Sequence, residues 1–317
     1  MKILVIGGTR FFGRAIVAEA LERGHDVTLF HRGKTGPELF PKAKHILGDR
    51  DGDTSLLEGH QFDAVIDVCG YVPRIVALSV DALRKAGHYQ FISTISVYHP
   101  KGRASRPLTE AWPLYGTEGV QSEEVTGESY GPLKVLCEQA VTRAFPNNSF
   151  HLRPGYIVGA HDPSDRFTHW VSRIGSEKRI LVPTRLDQPI QVIDARDLAA
   201  FSVSATEQGL VGATHATGHV MTFGAMLAAI RDALGRTTEF VPHNTEEPGK
   251  DYPLSGEPDD DVLLSISIEK ALGEGLKLRP LEETIRHTWD WSRKRGAFTP
   301  RTGISVERER EVLASLG

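Results

Sequence analysis

Lys2-Ile3-Leu4-Val5-Ile6-Gly7-Gly8-Thr9-Arg10-Phe11-Phe12-Gly13 opens the chain. Its first five residues are mostly aliphatic and read as a short strand buried on both faces, the pattern of a parallel sheet covered by helices. Beyond the glycine turn, Phe12, Ile16, Val17, Ala20 and Leu21 recur at helical spacing, and Gly24 supplies a left-handed stop. The next apolar run, residues 27–30, completes one strand–helix–strand unit.

The same alternation continues outward. Residues 44–47, 64–68, 90–95 and 150–152 read as further strands. Residues 74–86, closed by Gly87, and 129–144, closed by Phe145-Pro146, read as helices. A Rossmann-type α/β fold follows: a doubly wound parallel sheet with a smaller C-terminal substrate lobe. The expected division is a dinucleotide-binding domain over 1–160 with a return segment over 186–222, and a substrate lobe over 161–185 and 223–317. In that second part, 190–193 reads as a strand, and 195–205, 223–234 and 281–293 as helices. Trp289 and Trp291 are expected to pack the second lobe, and the acidic stretch 257–261 reads as a solvated loop.

Composition narrows the function. Of 317 residues, 40% are hydrophobic and 25% charged, enough apolar surface for a sizeable core, which excludes a disordered or fibrous chain. Lys and Arg number 37 against 41 Asp and Glu, a formal charge of −4, so nucleic acid is not expected as the main partner. Small molecules are. No apolar stretch approaches the ~18 residues of a membrane span. Because the strand begins at residue 2, no targeting segment is expected before it. Two cysteines, Cys69 and Cys137, make no disulfide framework or zinc motif, and the expected location is the reducing cytoplasm. His161, Asp165 and His169 fall at intervals of four, but Asp162-Pro163-Ser164 interrupts any helix that would align them, so no metal is expected.

The chemistry starts at the glycine turn. A strand, a turn and a helix N-terminus present free backbone N–H groups and a positive dipole end to a pyrophosphate. Gly7 permits the tight turn and Gly13 close helix-to-sheet packing; the middle glycine of the usual fingerprint is replaced by Arg10. The second strand ends Leu29-Phe30-His31-Arg32, with no carboxylate for a ribose 2′-OH. Arg32, helped by Arg10 or Lys34, suits a 2′-phosphate instead, which makes NADP preferred over NAD; the alternative for Arg32 is a solvated loop residue. Asp49 is placed to reach an adenine amino group or simply to make a turn. Cys69 reads as a packing residue at the cofactor side, Gly70 as a point of close backbone approach, and Tyr71 as a ring that stacks in the pocket or packs in the core. Farther on, Thr94 stands at the end of the fifth strand, and Tyr130 and Lys134 lie one helical turn apart on one face. An ammonium near a phenol favours the phenolate and brings the tyrosine toward use near neutral pH.

Taken in order, the glycine turn, Ser93-Thr94-Ile95-Ser96-Val97-Tyr98, Tyr130-Gly131-Pro132-Leu133-Lys134, Leu152-Arg153-Pro154-Gly155 and Val192-Ile193-Asp194-Ala195-Arg196-Asp197-Leu198-Ala199 resemble the extended short-chain dehydrogenase/reductase family, the NAD(P)-dependent epimerase/dehydratases. The Gly-Gly-Thr-Arg turn and the C-terminal extension are similar to a bacterial subgroup described as isoflavone-reductase-like or epimerase-like. The resemblance implies that Tyr130 is the acid/base, that Lys134 holds the nicotinamide ribose and lowers the tyrosine pKa, and that Thr94 orients the substrate oxygen, with Ser96 as the fallback. It implies that Thr9, Phe11, Phe12 and Arg153 also serve the cofactor cleft. Arg166, His169 and Arg185 become candidate substrate contacts, with a plain surface helix as the alternative. It further implies a homodimer through 74–86 and 129–144. Where dehydratases of this kind carry an Asp-Glu pair after the threonine, this chain has Ile95-Ser96, which disfavours dehydration. Hydride transfer between nicotinamide C4 and a carbonyl or secondary alcohol remains as an oxidoreductase reaction. The alternatives are a nucleotide-sugar epimerase with retained NAD, and a non-catalytic nucleic-acid-binding or regulatory protein on the same fold, as in a plant chloroplast branch with a similar turn.

Overall fold

The opening strand, β1 (Lys2–Ile6), lies inside a seven-stranded parallel sheet, with strands on both sides, in the computed structural model, which describes residues 1–99, 107–120, 122–296 and 301–316. With β2 (Asp26–His31), β3 (Lys44–Leu47), β4 (Ala64–Asp67), β5 (His88–Ile92) and β6 (Ser149–Pro154), the spatial order is Gly212–Ala216, β6, β5, β4, β1, β2, β3. Chain order reverses between β1 and β4, the switch point where open α/β sheets form a ligand crevice.

Alternate residues of β1 explain its unbroken apolar character. Ile3 and Val5 pack with Phe12, Ile16, Val17 and Ala20 of α1 (Phe11–Glu22) and with Leu198 and Phe201 of a later helix, Ala195–Gln208. Leu4 and Ile6 pack on the other face with Val76 and Val80 of α2 (Pro73–Ala82) and Cys137 and Val141 of α3 (Tyr130–Ala144). Each fully buried aliphatic side chain of this kind contributes about 1.5–3 kcal/mol. A second core joins α4 (Arg166–Ser176), the helices Phe223–Ala233 and Leu281–Lys294, and the parallel strands Arg179–Val182 and Glu239–Pro242. Trp289 packs against Gly175 in this core, while Trp291 meets His161 edge-on and lies under Arg295. Among the described residues, no helix is long and apolar enough to cross a membrane.

Several boundaries differ from the sequence reading for local reasons. The fifth strand ends at Ile92, so Thr94 caps a 3₁₀ turn, Ile95–Val97, and its hydroxyl accepts the Ser96 N–H at 3.1 Å. Helix α2 stops at Ala82 rather than 86, and Gly87 serves instead where an added Cβ would lie 2.7 Å from the Asp63 carbonyl oxygen. The expected strand 190–193 is split at Gln191, whose buried amide donates to the carbonyls of Gly218 and Ile266 at 2.9 and 3.0 Å. The acidic 257–261 stretch is not wholly solvated, because Asp261 accepts two hydrogen bonds from Arg185.

Gly24 does supply the left-handed turn after α1, with φ +80° and nothing within 4 Å of an added Cβ. Gly24→Ala therefore meets no clash and carries only the backbone penalty, so a loss of about 1 kcal/mol is expected. Urea unfolding measures it; an unchanged midpoint would contradict the conformational argument.

Candidate active site

The ends of β1, β2, β4 and β5 open into a cleft of about 1060 Å³ that runs from the glycine turn, past the loop after β2, to Thr94, Tyr130 and Lys134. Gly7 takes φ +101° with the space for its Cβ occupied by Val68, and a Cβ on Gly13 would lie 3.0 Å from the Gly8 backbone. Such close packing lets α1 begin at the cleft. No side chain caps its N-terminus and no acidic residue lies in its first turn, so its first N–H groups are available to an anion.

The structure brings Gly7, Thr9, Arg10, Phe11, Phe12, Gly13, Arg32, Asp49 and Cys69 to the wall of this cleft. Arg10 and Arg32 are exposed on it. Asp49 also accepts the N–H of Asp51 at 3.2 Å, the turn role weighed for it above. Cys69 is half-buried, with its thiol pushed up by burial. Beneath it lies an ion pair that sequence reasoning missed. Arg50 bonds both carboxylate oxygens of fully buried Asp67 at 2.7 and 2.8 Å, and Tyr89 donates to Asp67 at 3.0 Å. The carboxylate at the end of an apolar strand was the available signal.

Thr94, Tyr130 and Lys134 meet at the inner end. Tyr130, the first residue of α3, is pushed up to about 12 by burial, opposed by the Thr94 hydroxyl and the positive charge of Arg166. The expected lowering by Lys134 is not found. That ammonium donates to the carbonyls of Gly70 and Ile92, each at 2.7 Å, and sits 4.0 Å from the Phe91 ring centroid. Its own pKa is lowered to about 8 by burial. Tyr71 stands across the cleft, 48% exposed, its ring centroid 6.4 Å from that of Tyr130.

Four expected positions fall elsewhere. Gly70 is not on the cleft wall, because an added Cβ would lie 2.5 Å from Phe91; its carbonyl holds Lys134 instead. Arg153 is buried away from the cleft, bonded to both carboxylate oxygens of Glu138 at 2.9 and 2.6 Å and to the Tyr98 hydroxyl at 3.1 Å. Glu138 lies one turn beyond Lys134 on α3, a signal the sequence carried. His169 is 4% exposed, shut in by Trp170 and Gly303, and pushed down to about 3 by burial and Arg173. Arg185 is engaged with Asp261 and the Gly256 carbonyl, outside the cleft. Arg166 does line it, together with Leu263 and Leu264 from a distant segment.

The family model for the NAD dependent epimerase/dehydratase family matches residues 3–217, a span that includes the sheet, the glycine turn and α3. The chain belongs to that family. Among curated relatives, dTDP-6-deoxy-L-talose 4-dehydrogenase (NAD(P)(+)) of Kitasatospora kifunensis is 24% identical over 91% of this chain and 94% of its own length. Chloroplast stem-loop binding protein of 41 kDa b from Arabidopsis thaliana is 34% identical, but the match spans only 31% of this chain and 30% of that protein. Among solved structures, UDP-glucuronic acid 4-epimerase from Bacillus cereus, in complex with UDP-glucuronic acid and NAD, superposes with a TM-score of 0.69 at 18% identity, covering 93% of this chain and 99% of that one. This last likeness is one of fold.

Proposed function

We propose that this family member is an NADP-preferring oxidoreductase that interconverts a carbonyl and a secondary alcohol, with Tyr130 as the proton-transferring group. The observation that carries this reading is one continuous cleft joining an uncapped helix N-terminus to the Thr94–Tyr130–Lys134 cluster. When bound, the dinucleotide supplies or accepts hydride at its nicotinamide C4.

This chain's residues do the rest. The α1 N-terminus, with Thr9 and Arg10, receives the pyrophosphate, and Arg32 receives a 2′-phosphate. The exposed guanidinium of Arg32 forms no hydrogen bond or ion pair among the described residues, which leaves it available for that group. Lys134 fixes the carbonyls of Gly70 and Ile92 and so holds the cleft floor. Thr94 orients the substrate oxygen, and Tyr130 delivers or removes its proton. A phenol held near 12 is neutral at ordinary pH, which suits it as the proton donor in carbonyl reduction.

Calorimetric titration with NADP(H) and NAD(H) tests the reading. Tighter binding of the phosphorylated form is expected, with Arg32→Ala weakening it about tenfold and leaving NAD(H) affinity unchanged. A preference for NAD, or dinucleotide retained on purification, favours a second reading, an epimerase, which the name of the Bacillus protein supports; the name of the Kitasatospora relative, a 4-dehydrogenase, goes with the first reading. Binding of neither favours a binding role such as the stem-loop binding named for the chloroplast relative.

A further inference from the structure

We infer that the substrate half of the cleft takes a carbonyl compound with a single anionic group on a largely apolar body, and that Arg166 receives that group. The inference rests on the oxidoreductase reading and names its substrate class. Apolar side chains contribute to the cleft wall that Tyr130 shares, among them Val72, Ile75, Ile95, Ile157, Leu263 and Leu264. Arg166, at the start of α4, is a cation on the wall of this cleft.

Arg166 is held for the purpose. Its Nε donates to the Ser164 hydroxyl at 3.2 Å and its guanidinium lies 4.8 Å from the Tyr156 ring centroid, while its terminal nitrogens have no hydrogen-bond partner among the described residues. The carboxylate of Asp162 feels the charge of Arg166 but directs its oxygens to the N–H and hydroxyl of Ser164. The positive charge of Arg166 also reaches the Tyr130 phenol. An anionic group on Arg166 therefore leaves the same molecule within reach of the reacting hydroxyl.

The neighbouring cations are already engaged. Arg153 is neutralised by Glu138, and Arg185 by Asp261. Arg10, Arg32 and Lys34 stand on the glycine turn and the loop after β2, and from there the charge of Arg10 also reaches the Tyr71 phenol. A nucleoside diphosphate brings two phosphate charges, and desolvating both beside one guanidinium and an aliphatic wall is unfavourable. One planar guanidinium matches one carboxylate or one phosphate monoester in bidentate fashion.

The test is binding by the whole protein saturated with NADP(H). The probes are phenylpyruvate and 3-benzoylpropionate, their uncharged methyl esters, phosphate-bearing acetol phosphate, and UDP-glucose. The acids or the monophosphate are expected to bind at least tenfold more tightly than the esters. Arg166→Gln should abolish that difference while leaving NADP(H) affinity unchanged. Tighter binding of UDP-glucose, equal binding of acids and esters without a gain for the monophosphate, or binding of none of these probes overturns the inference. The dinucleotide titration separates the two readings. If NADP(H) fails to bind yet Arg166-dependent acid or monophosphate binding persists in the free protein, the anion pocket stands and the oxidoreductase reading falls.

Discussion

Between pH 6.5 and pH 4.5 the protein is expected to lose up to about 5 kcal/mol of stability through two buried histidines. His169 is pushed down to about 3 and His151 to about 4, in both cases by burial first. Each is therefore largely neutral in the folded chain over that interval. In the unfolded chain the same imidazoles take up protons as pH falls below about 6.5. Their contribution is complete above that value and is lost progressively as pH falls toward the folded values, because the unfolded state binds more protons. His169 faces Arg173 and the backbone of Thr302; His151 faces Glu138, Arg153 and Lys134 and is bonded to the Thr142 hydroxyl at 2.7 Å. Glu138 favours the charged imidazole but does not overcome burial. Against a typical total of about 5–15 kcal/mol, this loss is about a third or more of the whole. Urea titrations at the two pH values measure it directly. His169→Gln should roughly halve the pH-dependent loss, whatever its effect at pH 7. A stability unchanged between the two pH values would show that these rings are not held neutral.

That burial of His169 also marks where sequence reasoning stops. The sheet was legible because its strands carry aliphatic runs broken by turns, and a strand buried on both faces needs no distant partner to declare itself. Tyr130 and Lys134 were legible as a pair because one helical turn separates them, and Thr94, 36 residues earlier, joined them through the order of motifs that carries the family resemblance. Whether an arginine or histidine faces a cleft is a different kind of fact. Arg153 is withdrawn by Glu138, which requires β6 to pack beside α3. His169 is shut in by Gly303, 134 positions later, and Leu263 and Leu264 reach the cleft from a segment whose own sequence shows no periodic signal. Lys134 illustrates the same limit within the legible group. Spacing put it beside Tyr130, but the carbonyls of Gly70 and Ile92, which come from other strand ends, decide where its ammonium points.

Because Lys134 is turned toward those carbonyls, the proton chemistry falls on Tyr130, and Tyr130→Phe is expected to reduce kcat/KM for carbonyl reduction by about two to four orders of magnitude. The substitution keeps the ring that packs opposite Tyr71 and removes only the hydroxyl. The Thr94 hydroxyl retains its bond to the Ser96 N–H, and the 3₁₀ turn that Thr94 caps is untouched. Fold and dinucleotide affinity should therefore survive, confining the loss to the chemical step. The phenol near 12 sharpens the expectation. In reduction it is already in the proton-donating form at pH 7, so the rate should change little as pH falls to 6. In alcohol oxidation it must first give up its proton, so that rate should rise with pH. Reduced-nicotinamide absorbance reads both directions, as a loss when the most tightly bound carbonyl probe is reduced and as a gain when the corresponding alcohol is oxidised. A Tyr130→Phe enzyme that keeps its rate would move the proton transfer to another group, and one that loses dinucleotide affinity in proportion to rate would assign Tyr130 to binding rather than to proton transfer.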